Sequence, residues 1–227
     1  MKNFIWIVSW LLISAHQTFV IDTAAIYHGS RTQKKIALTF DACPSTSHGG
    51  YDAGVVQVLI DSGVPATFFL SGKWIIRHKE QIKKLASNPN FELANHSYSH
   101  PHCTRKSADS VRLEIERTES LLRKYAKTTP KLFRPPFGET DTTLERIVSR
   151  LGMRTVMYDL ASGDPDTTFT ASRLIKYVSS HTQNGSIIVM HVNGRGWHTA
   201  EALPEIIRLL RMKGFEFVTV SELARSR

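Results

Sequence analysis

The sequence predicts an α/β fold, a distorted (β/α) barrel of about seven parallel strands in a single domain. Three observations predict it. Short runs of β-formers alternate with helical patterns along the chain, the strand runs are apolar at nearly every position, and 227 residues suit one such domain better than two. Parallel neighbours need crossovers, which the intervening helices supply. Strands covered on both faces lose their polar–apolar alternation. A doubly wound open sheet is the alternative with the same signature.

Taken in order, the chain opens with Lys2 and the apolar run "FIWIVSWLLISA", followed by the polar "HQT". A basic residue ahead of about a dozen apolar ones reads as a secretory leader, too short to span a bilayer comfortably. The cut is expected after Ala15 or later, near Ala24 or Ala25, dividing the chain into a leader (1–25) and a folded domain (26–227). An uncleaved N-terminal anchor is the alternative. Export implies a periplasmic or extracellular protein, expected to be a monomer with no stable membrane insertion after processing.

The strand runs are "KKIALTF", "PATFFL", "FELAN", "KLFRP", "RTVMYDL", "GSIIVMH" and "FEFVTV". Between them lie "AGVVQVLIDSG", "WIIRHKEQIKKLASN" before Pro89, and a long helix from about Asp109 to Lys127 with Val111, Ile115, Thr118, Leu122 and Tyr125 on one stripe. "TTLERIVSRLG", "ASRLIKYVSSH" and "EALPEIIRLLRMKG" follow, two of them ending in the Gly that suits a helix C′ position.

The net charge of +9 favours anionic partners. Its Lys and Arg residues are scattered over helix patterns rather than gathered in a stripe, so they read as solvated faces and no nucleic-acid partner is expected. An exported chain meets anionic envelope polymers first. The two cysteines, Cys43 and Cys103, read as a disulfide in an oxidising compartment, worth about 4 kcal/mol in the chain-entropy model. Inert thiols or metal ligation are the competing readings.

In a barrel, chemistry sits in the loops after the C-terminal ends of the strands. The reactive side chains sort accordingly: Asp41 after the first run, His96 and His100 after the third, Arg134 in the fourth, Asp159 to Asp164 after the fifth and His191 after the sixth. The four-residue spacing of His96 and His100 places two imidazoles on one side of a turn, a common metal-ligand spacing.

The ordered segments "LTFDACPS", "NHSYSH", "FRPPFG", "YDLASGD" and "IVMH" resemble the motif set of the polysaccharide deacetylases with the NodB-homology fold, carbohydrate esterases that remove acetyl groups from glycans. The resemblance spans roughly residues 34 to 221. It implies an N-acetylated glycan substrate, an envelope polymer such as peptidoglycan, attacked at N-acetyl or O-acetyl groups, and one divalent metal, zinc, with cobalt, nickel or manganese as alternatives. Position by position, it implies Asp41 as general base, Arg134 as the holder of that base, and His96 and His100 as metal ligands. Phe137 falls where a backbone N–H meets the oxyanion, His191 where the general acid stands, and Asp164 where a carboxylate tunes it. Tyr158 and Val189 fall where the acetyl methyl is lined. Asp159 also ends the fifth strand and is an alternative partner for His191.

One position departs from the pattern. The family's first motif reads Thr-Phe-Asp-Asp-Gly, its second Asp being the third metal ligand, whereas this chain has Ala42 and then Cys43. A methyl group cannot bind a cation. Asp52 is a substitute ligand, although an Asp ahead of a helical run is also a good N-cap. His48, His102, Asp41 itself or an additional water are other stand-ins, and a Cys43–Cys103 disulfide would tether the loops that carry Asp41 and His100. Trp197, in "NGRGWHTAE", and Trp74 offer aromatic faces for a sugar ring, and His198 a contact to substrate. The rival functions are hydrolysis of a small cyclic amide or imide, and glycan binding by an inactive relative.

Overall fold

The computed structural model describes residues 24–44 and 50–225. Most of the leader reading, and His48, lie outside the described residues.

β1 (Lys35–Ala42) is the central strand. It pairs in parallel with β2 (Ala66–Leu70) on one side and with β7 (Ile187–His191) on the other. β3 (Phe91–Asn95), β4 (Leu132–Phe133) and β5 (Arg154–Thr155) extend the sheet beyond β2, and β6 (Leu160–Ala161) flanks β7. The order is β5-β4-β3-β2-β1-β7-β6, all parallel, while β8 (Glu216–Phe217) pairs with the start of β1. This is a curled, incomplete barrel, as the alternation of strand and helix patterns required. The helices are α1 (Ala53–Asp61), α2 (Gly72–Arg77), α3 (Lys79–Ser87), α4 (Ala108–Ala126), α5 (Thr142–Arg150), α6 (Ala171–His181), α7 (Thr199–Met212) and α8 (Val220–Arg225). Among the described residues no helix is long and apolar enough to cross a membrane.

Side-chain alternation sorts the strands into two faces. Ile36, Leu38, Phe40 and Ala42 of β1, with Phe68, Leu70, Ile188 and Met190, pack in the large core against α1, α6 and α7. Ala37 of β1, with Phe69, Ala94, Ile187 and Val156, fills the smaller core inside the curl. Each such large side chain contributes roughly 1.5–3 kcal/mol. Of the stripe expected on α4, Val111, Ile115, Thr118 and Leu122 are buried, while Tyr125 is only partly buried against the core and Ala126 is buried beside it.

Two elements differ from their sequence patterns. The run from Trp74 to Asn88 is two helices, broken at His78 (φ −124°, ψ 42°), whose ring stacks on Trp74 with centroids 4.4 Å apart. "RTVMYDL" is two short strands at opposite edges: Arg154–Thr155 pairs with β4, and Leu160–Ala161 with β7. One apolar run therefore spans the open side of the barrel, with Val156 bridging to Ile26.

Candidate active site

The C-terminal ends of β1, β3, β4 and β7 open onto a cleft of about 310 Å³ lined by Asp41, Cys43, His96, His100, Phe137, Tyr158, Asp164, Val189, His191 and Arg195, among others. Alternation explains which side chains reach it. Asp41 lies on the inward face of β1, and its Oδ1 accepts a 2.7 Å hydrogen bond from Arg134 Nη1. Arg134 is buried just after β4. Its Nη1 also donates to Thr39 Oγ1 (2.8 Å), its Nη2 to Met157 O (3.1 Å), and its guanidinium lies 4.0 Å from the centroid of the Phe69 ring. Burial pushes the Asp41 carboxyl up, but the Arg134 guanidinium and the nearby imidazoles outweigh it, and the net direction is down. Asp41 is a carboxylate held by one oxygen, with Oδ2 3.8 Å from His96 Nε2.

His96 is also buried. Its Nδ1–H donates to Arg134 O at 2.8 Å, which leaves the Nε2 lone pair facing the cleft. His100 stands edge-on to it, with ring centroids 4.9 Å apart. Burial, and then the neighbouring His96 imidazole, push the His100 imidazole down to about 3, and burial also lowers His96, so both rings are neutral at pH 7. Ser97 (φ 61°), His100 (φ 63°) and Phe137 (φ 62°) all hold left-handed backbone. Each such residue costs on the order of 1–2 kcal/mol, and three around one cleft mark a site whose geometry the rest of the fold imposes. The Phe137 ring packs on His100 and stacks on His102, at 4.5 and 3.9 Å between centroids.

Opposite the histidine pair, Asp164 Oδ1 accepts from His191 Nδ1 at 2.9 Å, and Oδ2 accepts from the His191 backbone N–H at 2.7 Å. Ser162 Oγ and Thr199 Oγ1 hold the same carboxylate at 3.0 and 2.8 Å. Burial alone would lower the His191 imidazole, but the Asp164 charge outweighs it and the net direction is up. Gly196 is required here, because a Cβ would lie 2.7 Å from Asp164 Oδ2 and closer still to Thr199 Oγ1.

Several expectations are corrected. Cys43 and Cys103 are both free and buried, so the disulfide and the tether built on it are absent. Strand alternation turns Cys43 into the cleft, whereas Cys103 packs with Val111, Ile115 and Phe133 under α4 and α5. Asp52 is not at the metal site; its carboxylate accepts from Val55 N at 3.1 Å as the N-cap of α1. Asp159 is not the partner of His191, since it binds Arg31 (2.8 Å) and Ile187 N (2.7 Å). His102 pairs with Glu139 at 3.0 Å, and His198 with Glu201 at 3.1 Å. Trp74 is buried, its Nε1 donating to Gly50 O, so it presents no sugar platform. Trp197 is 44% exposed beside the site and does not line the cleft.

The sequence reading missed the roles of Thr39, Ser162, Thr199 and Arg195. Thr39 was legible as the inward position two before Asp41. Arg195 was not, because a loop has no periodicity to show where a side chain points. It is exposed at the cleft mouth, and no acceptor pairs with it among the described residues.

Cys43 Sγ lies 3.7 Å from His96 Nε2, and one donor atom from each of Cys43, His96 and His100 lies within 4.8 Å of the others. Two neutral imidazoles and a thiol in that space fit a single divalent ion.

The sequence model of polysaccharide deacetylase matches residues 28–156, more than half of the chain. The chain belongs to the polysaccharide deacetylase family. Asp164 and His191 lie beyond the matched span, so their placement rests on the geometry above. Similar proteins include a bifunctional xylanase/deacetylase of Pseudobutyrivibrio xylanivorans, 34% identical over 86% of this chain and 31% of its own length. A peptidoglycan-N-acetylglucosamine deacetylase of Bacillus cereus is 29% identical over 88% of this chain and 72% of its own. Among solved structures, a family 4 carbohydrate esterase pseudoenzyme from Bacillus anthracis superposes with TM-score 0.80 at 27% identity, covering 88% of this chain and 69% of that one. The chain spans about a third of the length of the first curated relatives it matches, from 27% to 40%.

Proposed function

We propose that this family member is an exported, metal-dependent deacetylase that hydrolyses N-acetyl groups of an envelope glycan such as peptidoglycan. The observation that carries the reading is the pairing of two oppositely tuned groups across one cleft: Asp41, whose ionised form Arg134 favours, and His191, whose protonated form Asp164 favours. A binding module needs neither. Export rests on the apolar run after Lys2, and the glycan class on the relatives' substrates.

A divalent ion, zinc by donor chemistry, would be held by His96 and His100 and supplies Lewis acidity that makes water a nucleophile at neutral pH. The protein's own groups do the rest. Asp41 accepts the proton of the attacking water through the oxygen not bound to Arg134. His191 delivers the proton that the departing amine needs, and Asp164 fixes its Nδ1 tautomer so that Nε2 faces the cleft. The backbone N–H of Phe137 meets the developing oxyanion. Tyr158 and Val189 line the space for the acetyl methyl.

The test is acetate release from N-acetylglucosamine oligomers with and without chelator. Release that chelation abolishes and added zinc restores supports the reading. Binding of the oligomer with no release at any metal loading would instead support the inactive, glycan-binding alternative.

A further inference from the structure

The usual third oxygen donor is missing, and the strand that should carry it offers a different atom. In β1 the odd-numbered positions from Ala37 face inside the curl, and Ala42 packs with Phe40 against the helices. The one carboxylate this strand turns inward, Asp41, is held by Arg134 at 2.7 Å; the next inward position is Cys43, whose Sγ lies 3.7 Å from His96 Nε2. In a tetrahedral zinc site with Zn–S of about 2.3 Å and Zn–N of about 2.0–2.1 Å, sulfur and nitrogen sit about 3.6 Å apart.

We propose that Cys43 is the third protein ligand of this site, binding as a thiolate, so that the donor set is one sulfur and two imidazole nitrogens. The proposal rests on the metal dependence argued above. On binding, the Sγ–H bond releases its proton to solvent as the sulfur–metal bond forms. His96 is already oriented for it, its Nδ1–H committed to Arg134 O. The Cys43 backbone is fixed as well, its carbonyl accepting from Asn193 Nδ2 at 2.8 Å. Two consequences follow. Sulfur in the set selects zinc or cobalt over manganese or magnesium. It also makes the metal site oxidisable, which a carboxylate-ligated site is not.

A thiol–imidazole hydrogen bond, or a Cys43–His96 nucleophilic pair, would use the same 3.7 Å contact. Neither explains why His100 is held in left-handed backbone with its ring against His96. The alternatives separate experimentally. The metal-free full chain is titrated with Co(II) and followed by near-ultraviolet absorption, where a thiolate ligand gives a sulfur-to-cobalt charge-transfer band. Wild type and Cys103→Ala are expected to show the band. Cys43→Ser loses it and binds cobalt more than about a hundredfold more weakly, while Cys43→Asp regains affinity without the band. Cobalt bound tightly by wild type with no such band overturns the thiolate ligand and leaves metal dependence standing. Persistence of the band in Cys43→Ser also overturns it. If wild type takes up no cobalt and chelator leaves acetate release unchanged, the ligand and the metal dependence fall together.

Discussion

Asp164 grips His191 at two points, the ring Nδ1 at 2.9 Å and the backbone N–H at 2.7 Å, so one carboxylate both favours the protonated imidazole and fixes its position. The rest of its hydrogen-bonding capacity goes to Ser162 and Thr199, which leaves it no other orientation. The proposed acid is therefore held by three segments, the loop after β6, the end of β7 and the start of α7.

Removing that charge makes a signed prediction. His191 is raised from its ordinary value, so the protonated acid persists above that value and is lost as pH climbs through the raised one. In Asp164→Asn only burial remains as the leading influence, and the alkaline limb of the kcat profile moves to lower pH. The rate at neutral pH falls by about a hundredfold. A pH profile of acetate release checks both.

Arg134 and Asp41 form a buried ion pair, and breaking it strands the carboxylate. Arg134→Met should cost about 3–5 kcal/mol of stability. Because the folded Asp41 is depressed below its ordinary value, the contribution of the pair is present above the unfolded pKa and lost as pH falls through the folded one. Urea unfolding of wild type and variant at neutral and acidic pH measures this, the difference shrinking in acid.

The legibility of the site follows from geometry. Asp41, His96, His100 and His191 were readable because strand ends in a parallel α/β sheet deliver side chains to one rim, and the rim they reach is the observed cleft, with Arg134 buried behind Asp41. The alternating parallel fold was readable for the same reason. Cys43 was misassigned because redox compartment is a property of the chain, whereas the direction of a thiol is set by a single residue of strand register. Asp52 was open between cap and ligand because both uses ask for the same residue type at a helix start. Asp164 and Asp159 were indistinguishable in sequence, and only the split of their run into two edge strands sends one to His191 and the other to Arg31.

Thiol counting tests the correction at the cysteines. The denatured, unreduced protein is expected to titrate with two free thiols per chain. Cys103→Ala, a change within the apolar cluster under α4, should cost about 1 kcal/mol and leave metal content unchanged. One disulfide and no free thiol would contradict the structure.

Arg195 stands at the cleft mouth and is exposed. Its charge complements an anionic substituent, such as a carboxylate, on the proposed glycan substrate. Arg195→Ala should raise KM about threefold for a carboxylate-bearing glycan fragment, in keeping with an exposed ion pair, and leave KM for neutral N-acetylglucosamine oligomers unchanged.

The most direct test compares acetate release by zinc-loaded wild type with that by Asp41→Asn, which keeps the shape of the base and removes its charge. The account predicts turnover by wild type and a loss of at least about a hundredfold in the variant, with metal content preserved. Equal rates in the two proteins, at equal metal content, would contradict it.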